Sequence, residues 1–129
     1  MGSLSDRFRS AVEAGDHAGA VETLAPDVVL NSPVAFRPFE GRDTVGDVLA
    51  AVLDTFEDFH YTDALEGPTA HALVFRARVE DKQIEGIDLL RFDGDGQISD
   101  FTVLVRPLSA TIALAQAMGP KVAELKSRA

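Results

Sequence analysis

The chain has 129 residues and a formal charge of −9, with an isoelectric point near 4.6. A field of that sign repels phosphate backbones and anionic headgroups, so neither nucleic acid nor a membrane surface is expected as a partner. The absence of cysteine rules out disulfides, thiolate metal sites and a cysteine nucleophile, and no apolar run approaches the roughly 18 residues of a membrane span.

The length fits one domain over residues 1–129, enough to bury about two-thirds of the surface an unfolded chain exposes. The first residues lack the basic and apolar regions of a secretion signal, so a cytoplasmic location is expected. Leu4, Phe8, Ala11 and Val12 recur at helical spacing, and Gly15 stops that helix. Asp16 caps a second helix, with Val21 and Leu24 on its buried side and Pro26 beyond its end. Val28, Val29 and Leu30 form a short β-branched run that breaks at Ser32-Pro33. The stretch from Val34 to Gly41 shows no period and reads as a loop, yet Phe36 and Phe39 make it apolar enough to cover something. A third helix follows, capped by Asp43 or Thr44, with Val45, Val48, Leu49, Val52, Leu53 and Phe56 as its buried stripe.

After Phe59 the pattern changes to strands: His60 to Glu66, Ala70 to Glu80, Ile84 to Phe92 and Gln97 to Arg106. Gly67-Pro68, Asp81 to Gln83 and Asp93 to Gly96 supply the turns between them. Pro107 closes the last strand, and Leu108, Ile112, Leu114 and Met118 suggest a short final helix. Helices first and antiparallel strands afterwards indicate an α+β fold. Both faces of the last two strands are partly apolar: Ile84, Gly86, Asp88, Leu90 and Phe92 oppose Ile87 and Leu89, and Phe101, Val103 and Val105 oppose Ile98 and Leu104. A solvated antiparallel face reads polar, so the second face is expected to meet a twin subunit in a homodimer.

Asp88 stands out among the ionisable residues. It lies mid-strand on the face of Ile84, Leu90 and Phe92, where an ionised carboxylate is costly to desolvate and its pKa rises unless a donor meets it. His17, His60 and His71 have no metal-ligand spacing, and Asp93-Gly94-Asp95-Gly96 lacks the glutamate a calcium loop requires, so no metal is expected. Arg76, Arg78 and Glu80, with Arg91 and Asp100 on neighbouring strands, read as a solvated or intersubunit ion-pair set. No serine sits in a nucleophile elbow. No phosphate loop or dinucleotide fingerprint is present, and no cofactor is expected.

The order Phe8 to Asp16, Leu24 to Val29, Pro33 to Asp43 and Gly86-Ile87-Asp88-Leu89-Leu90-Arg91-Phe92-Asp93 with Gly96-Gln97-Ile98 resembles the nuclear-transport-factor-2-like superfamily, nearest its SnoaL-like and ketosteroid-isomerase-like members. The resemblance covers nearly the whole chain. It implies a cone-shaped, curved antiparallel or mixed sheet wrapped around three helices, enclosing an apolar pocket, often in a homodimer through the sheet. The isomerases use an aspartate base with a tyrosine and a protonated aspartate as oxyanion donors. By position, the protonated aspartate falls on Asp88, the base on Ser32 and the tyrosine on Phe8, so two of the three groups are lost and steroid isomerisation is not expected. The limonene-epoxide hydrolase pattern fits less well: its Arg-x-Asp strand motif is replaced by Arg78-Val79-Glu80, and its last carboxylate falls near Val103.

The resemblance therefore implies a binder of a small hydrophobic molecule, lined by Phe8, Val12, Ser32, Phe36, Phe39, Phe56, Phe101 and Val105, with Asp88 as the polar anchor. The alternative is an isomerase, cyclase or hydrolase of a polyketide- or steroid-like carbonyl compound, with protonated Asp88 as oxyanion donor. That alternative needs a base from His60, His71 or a carboxylate elsewhere.

Overall fold

In the computed structural model, which describes residues 3–128, the chain begins with a helix set by its own cap. Ser3 Oγ accepts from the Asp6 amide at 3.3 Å while the Ser3 amide donates to Asp6 Oδ2 at 2.9 Å, a reciprocal capping box. Helix α1 (Leu4–Glu13) follows, then α2 (His17–Glu22), capped by Asp16 Oδ1 accepting from the Gly19 amide at 2.9 Å. Strand β1 (Leu24–Asn31), the two-residue β2 (Phe39–Glu40), α3 (Arg42–Thr55), β3 (Glu57–Glu66), β4 (His71–Val79), β5 (Lys82–Phe92), β6 (Ile98–Arg106) and α4 (Leu108–Arg128) complete the order.

The six strands form one mixed, curved and unclosed sheet in the order β2-β1-β6-β5-β4-β3. β1 runs parallel to β6 and every other neighbouring pair is antiparallel. The helices lie against the concave side, where Phe8, Leu24, Leu30, Leu49, Phe75 and Phe101 belong to one core cluster. A second cluster, with Ala77, Val79 and Ile84 from β4 and β5 and Ala110, Leu114 and Met118 from α4, closes the other end.

Five local expectations are corrected. Leu24 is in β1 rather than α2, and Pro26 is inside that strand; the β1–β6 register shifts between Leu24 and Val29, so the proline, which has no amide hydrogen to give, sits in an irregular stretch of ladder. The cap of α3 is Gly41 at φ +94°, with no side-chain cap. Its neighbour Arg42 donates to the Leu24 carbonyl at 2.6 and 2.9 Å, tying the helix start to β1. Ile98 is on the buried side, not with Leu104, because the β5–β6 register shifts between Arg91 and Phe92 and restores Phe101 to the core one residue out of phase. The final helix is not short. It has 21 residues and makes a fourth helix beside the three of the cone, with Pro120 inside it. The β4–β5 connection is the two-residue turn Glu80-Asp81, tighter than the turn centred on Asp81 to Gln83, with Val79 paired to Lys82.

α4 is clasped to α3. Lys121 Nζ donates to Thr55 Oγ1 at 2.6 Å and pairs with Asp54 Oδ2 at 3.3 Å, while Thr55 Oγ1 donates to the Ala51 carbonyl at 2.8 Å. Among the described residues, no helix is long and apolar enough to cross a membrane.

Candidate functional site

The concave side of the sheet and helices α1, α3 and α4 enclose a cavity of about 480 Å3, within the ordinary size range of small-molecule sites. Its walls are aromatic and aliphatic. Phe56 and Phe59 stack with centroids 5.6 Å apart, and Phe59 meets Phe75 at 5.1 Å and Tyr61 edge-on at 5.0 Å. Across from them Phe8 packs edge-on against Phe101 at 5.3 Å. Phe75 takes its place because β5 offers a glycine opposite it: Phe75 and Gly86 are register partners, and a Cβ on Gly86 would lie 2.2 Å from the Phe75 ring. The ring lies where that side chain would stand.

Two polar groups meet in this apolar wall. Asp88 pairs with Leu73 on one side and Val103 on the other in mid-sheet, and only 6% of it is exposed. Tyr61, on β3 beyond β4, donates its hydroxyl to Asp88 Oδ2 at 3.2 Å. Burial pushes the Asp88 carboxyl up to about 7, against the smaller opposing effect of the Tyr61 hydrogen bond. Burial, followed by the charge of Asp88 and the hydrogen bond to it, raises the Tyr61 phenol well above its ordinary value. The Arg9 guanidinium lies 5.8 Å from the Tyr61 ring centroid and acts in the opposite sense. The phenol therefore keeps its proton at neutral pH, and the carboxyl changes state near it.

Of the residues named from the sequence, Phe8, Val12, Ser32, Phe39, Phe56, Phe101 and Asp88 all line the cavity. Phe36 does not: it stands fully in solvent at 105% relative exposure, at the tip of the loop whose Pro33 and Pro38 do reach the wall. Val105 does not either, since it packs against the core clusters outside the cavity wall. The loop has no hydrophobic period, so nothing in its pattern separates Phe39, turned inward on β2, from Phe36. Neither candidate base converges on Asp88. His71 Nδ1 is 2.8 Å from Ser5 Oγ, and exposed His60 has Nδ1 2.9 Å from the Asp58 carbonyl. Ser32 Oγ accepts from the Val34 amide at 3.1 Å. Among the described residues no group of three side chains is placed to hold a metal ion. The arginines of the strands pair outside the cavity, Arg76 and Arg106 with Glu85 and Arg78 with Asp58.

Tyr61, not the Phe8 position implied by the resemblance, supplies the hydroxyl beside Asp88. The available signal was its parity: the chain's single tyrosine lies two residues after Phe59, on the same strand face.

Residues 6–101 match the SnoaL-like domain. The chain belongs to the SnoaL-like family. This SnoaL-like chain is 28% identical over 105 residues to a steroid Δ-isomerase from Nocardioides simplex, covering 78% of this chain and 85% of the relative. It is 37% identical to a steroid Δ-isomerase of known structure from Pseudomonas aeruginosa, with a TM-score of 0.88 over 96% of this chain and 92% of that one. A bacterial protein with a cystatin-like fold from Silicibacter pomeroyi is 32% identical with a TM-score of 0.87, over 92% and 84% of the two chains. These SnoaL-like and isomerase neighbours fit the α+β cone and support a ligand-binding or isomerase-type role.

Proposed function

We propose that the protein binds a hydrophobic small molecule carrying one oxygen function, with the Tyr61–Asp88 pair as its anchor. The observation that carries this reading is the isolation of that pair: a phenol and a carboxyl joined at 3.2 Å in a wall of aromatic and aliphatic side chains. An oxygen atom brought there recovers hydrogen bonds that the ligand gives up on leaving water, and protonated Asp88 can donate to it. The protein acts as a cytoplasmic homodimer in this reading. Its convex face supports that assembly with the cross-strand row Val74, Ile87 and Leu104, the last 53% exposed in the single chain.

The similarity to two steroid Δ-isomerases favours a second reading, isomerisation of a steroid-like ketone with Asp88 as the proton donor to its oxygen. Against it, Asp88 is the single carboxylate among the described residues of the cavity wall, and Ser32 has no base beside it. One pair of assays separates the two. Calorimetric titration with androst-4-en-3-one should show saturable binding, weakened about fivefold in Tyr61→Phe, since a neutral hydrogen bond is worth about 1 kcal/mol. Incubation with a 3-keto-Δ5 steroid should give no conjugated enone above background. No binding would refute the pocket reading, and turnover lost in Asp88→Ala would replace the binder with the isomerase.

A further inference from the structure

We infer that the ligand is an amphiphile: a hydrophobic body with its oxygen at Tyr61–Asp88 and a carboxylate at its other end, held by Arg37 at the mouth of the cavity. The inference rests on the pocket reading above and adds the charge of the ligand and the direction in which it lies.

The cavity wall has two kinds of polar group, and they differ in exposure. Tyr61 and Asp88 are buried, whereas Arg37 contributes to the same wall while its side chain is exposed to solvent. Among the described residues of the wall, Arg37 is the one cation. Among the described residues it has no carboxylate partner within ion-pair distance, although the chain holds 21 acidic residues against 12 basic ones. Arg9, Arg76, Arg78, Arg106 and Lys121 are paired with acids and Arg42 is spent on the Leu24 carbonyl, while Arg7, Lys82 and Arg91, which also have no ion pair among the described residues, lie outside the cavity wall. A guanidinium left unpaired in a protein of net charge −9, on the rim of an apolar cavity, is a docking point for an anion.

The loop presents that cation in a restricted way. Arg37 stands between Pro33 and Pro38, both of which line the cavity, and Pro38 follows it directly. A proline fixes its own φ and pushes the preceding residue toward extended backbone, which narrows the conformations Arg37 can take. The planar fork of its donors matches a carboxylate with two parallel hydrogen bonds. A ligand with one neutral oxygen and one carboxylate satisfies both ends of the cavity, and its apolar body meets the phenylalanines between them. A neutral ligand leaves the Arg37 end unused.

The test compares 3-oxo-androst-4-ene-17β-carboxylic acid with its methyl ester by calorimetric titration at low salt. The wild-type protein should bind the acid up to about fivefold more tightly than the ester, the upper end for a single exposed ion pair. Arg37→Gln should remove that preference by weakening the acid more than the ester, and a thermal melt matching the wild type by circular dichroism shows that the variant is folded. Half-molar sodium chloride should erode the preference in the wild type. Tyr61→Phe should weaken both compounds alike. Equal binding of acid and ester by the wild type, or a preference that survives Arg37→Gln, overturns the inference while the pocket reading stands. Failure of both compounds to bind removes the two together.

Discussion

The two faces of this sheet are built from the same strands by opposite rules. On the concave face, β4 and β5 present Leu73, Phe75, Ile84, Asp88 and Leu90, each 6% exposed or less, and the one carboxyl there is protonated near neutral pH rather than paired with a cation. On the convex face, one residue out of phase, Glu85 bridges Arg76 at 2.9 Å and Arg106 at 3.2 Å in solvent, beside the apolar row Val74, Ile87 and Leu104. The carboxylate in water is balanced by neighbouring charge. The one out of water is balanced by a proton. On these concave rows of β4 and β5 a carboxyl occurs once, and it lies at the cavity.

The largest expected effect tests that asymmetry through pH. In the folded chain the Asp88 carboxyl holds its proton up to about 7, against about 3.9 in an unfolded chain. Between those values the native state binds more protons than the unfolded state, so this site's contribution to stability falls as pH rises from about 4 to 7 and is level beyond. At about 1.4 kcal/mol per pH unit the total loss is up to about 4 kcal/mol. Asp88→Asn keeps a hydrogen-bond acceptor for Tyr61 and removes the dependence. Urea melts at pH 5 and pH 8 should therefore show the variant gaining on the wild type at the higher pH. A constant difference between the two proteins would mean that Asp88 is as well balanced as Glu85, and the contrast between faces would fail.

The next effect sharpens the packing side of the comparison. Gly86→Ala puts a methyl group into the Phe75 ring, with backbone on one side and the Phe56 and Phe59 rings beyond. The expected loss is about 1–3 kcal/mol of stability, with weaker ligand binding because Phe75 is displaced from the cavity wall. Unchanged stability by chemical denaturation would show that the concave face is looser than its burial implies. The smallest effect on the fold belongs to the convex face. Leu89→Arg should change protomer stability by less than about 1 kcal/mol, yet lower the mass seen by light scattering from twice the 13.8 kDa chain to the chain itself. A wild type that scatters as a monomer would remove the dimer.

Much of the architecture could be read from period alone. The stripes of α1 and α3 and the alternation in β4 and β5 are long and regular, and Asp88 was visible because a charge fell on an apolar phase. What escaped lies where period breaks or does not exist. The bulge near Ser99 changes phase within a strand and takes Ile98 to the core, and β1 begins at Leu24, ahead of a proline that reads as a break. In the Pro33–Pro38 loop no rule assigns sides, and Phe36 went outward. The Tyr61 hydroxyl reaches Asp88 across an intervening strand and 27 residues of sequence, a relation that local pattern does not carry. Both halves of the anchor are strand residues, but only the charged half conflicted with its surroundings enough to be noticed.

One wall of the cavity, α4, carries a proline inside its helix. Pro120 gives α4 no amide hydrogen at that position, so the carbonyl of Gln116 lacks the helical bond it would otherwise receive. The backbone ladder of the helix is thereby interrupted at one point. The first half is held by Ala110, Leu114 and Met118 in the core, while Val122 and Ala123 of the second half still line the cavity. The second half can fray without breaking the hydrogen bonds of the first, and the Lys121 clasp to Thr55 and Asp54 is a polar tie against it. For a ligand bound as proposed, loosening this half of α4 would act on the rate of release more than on the contacts made by the strands.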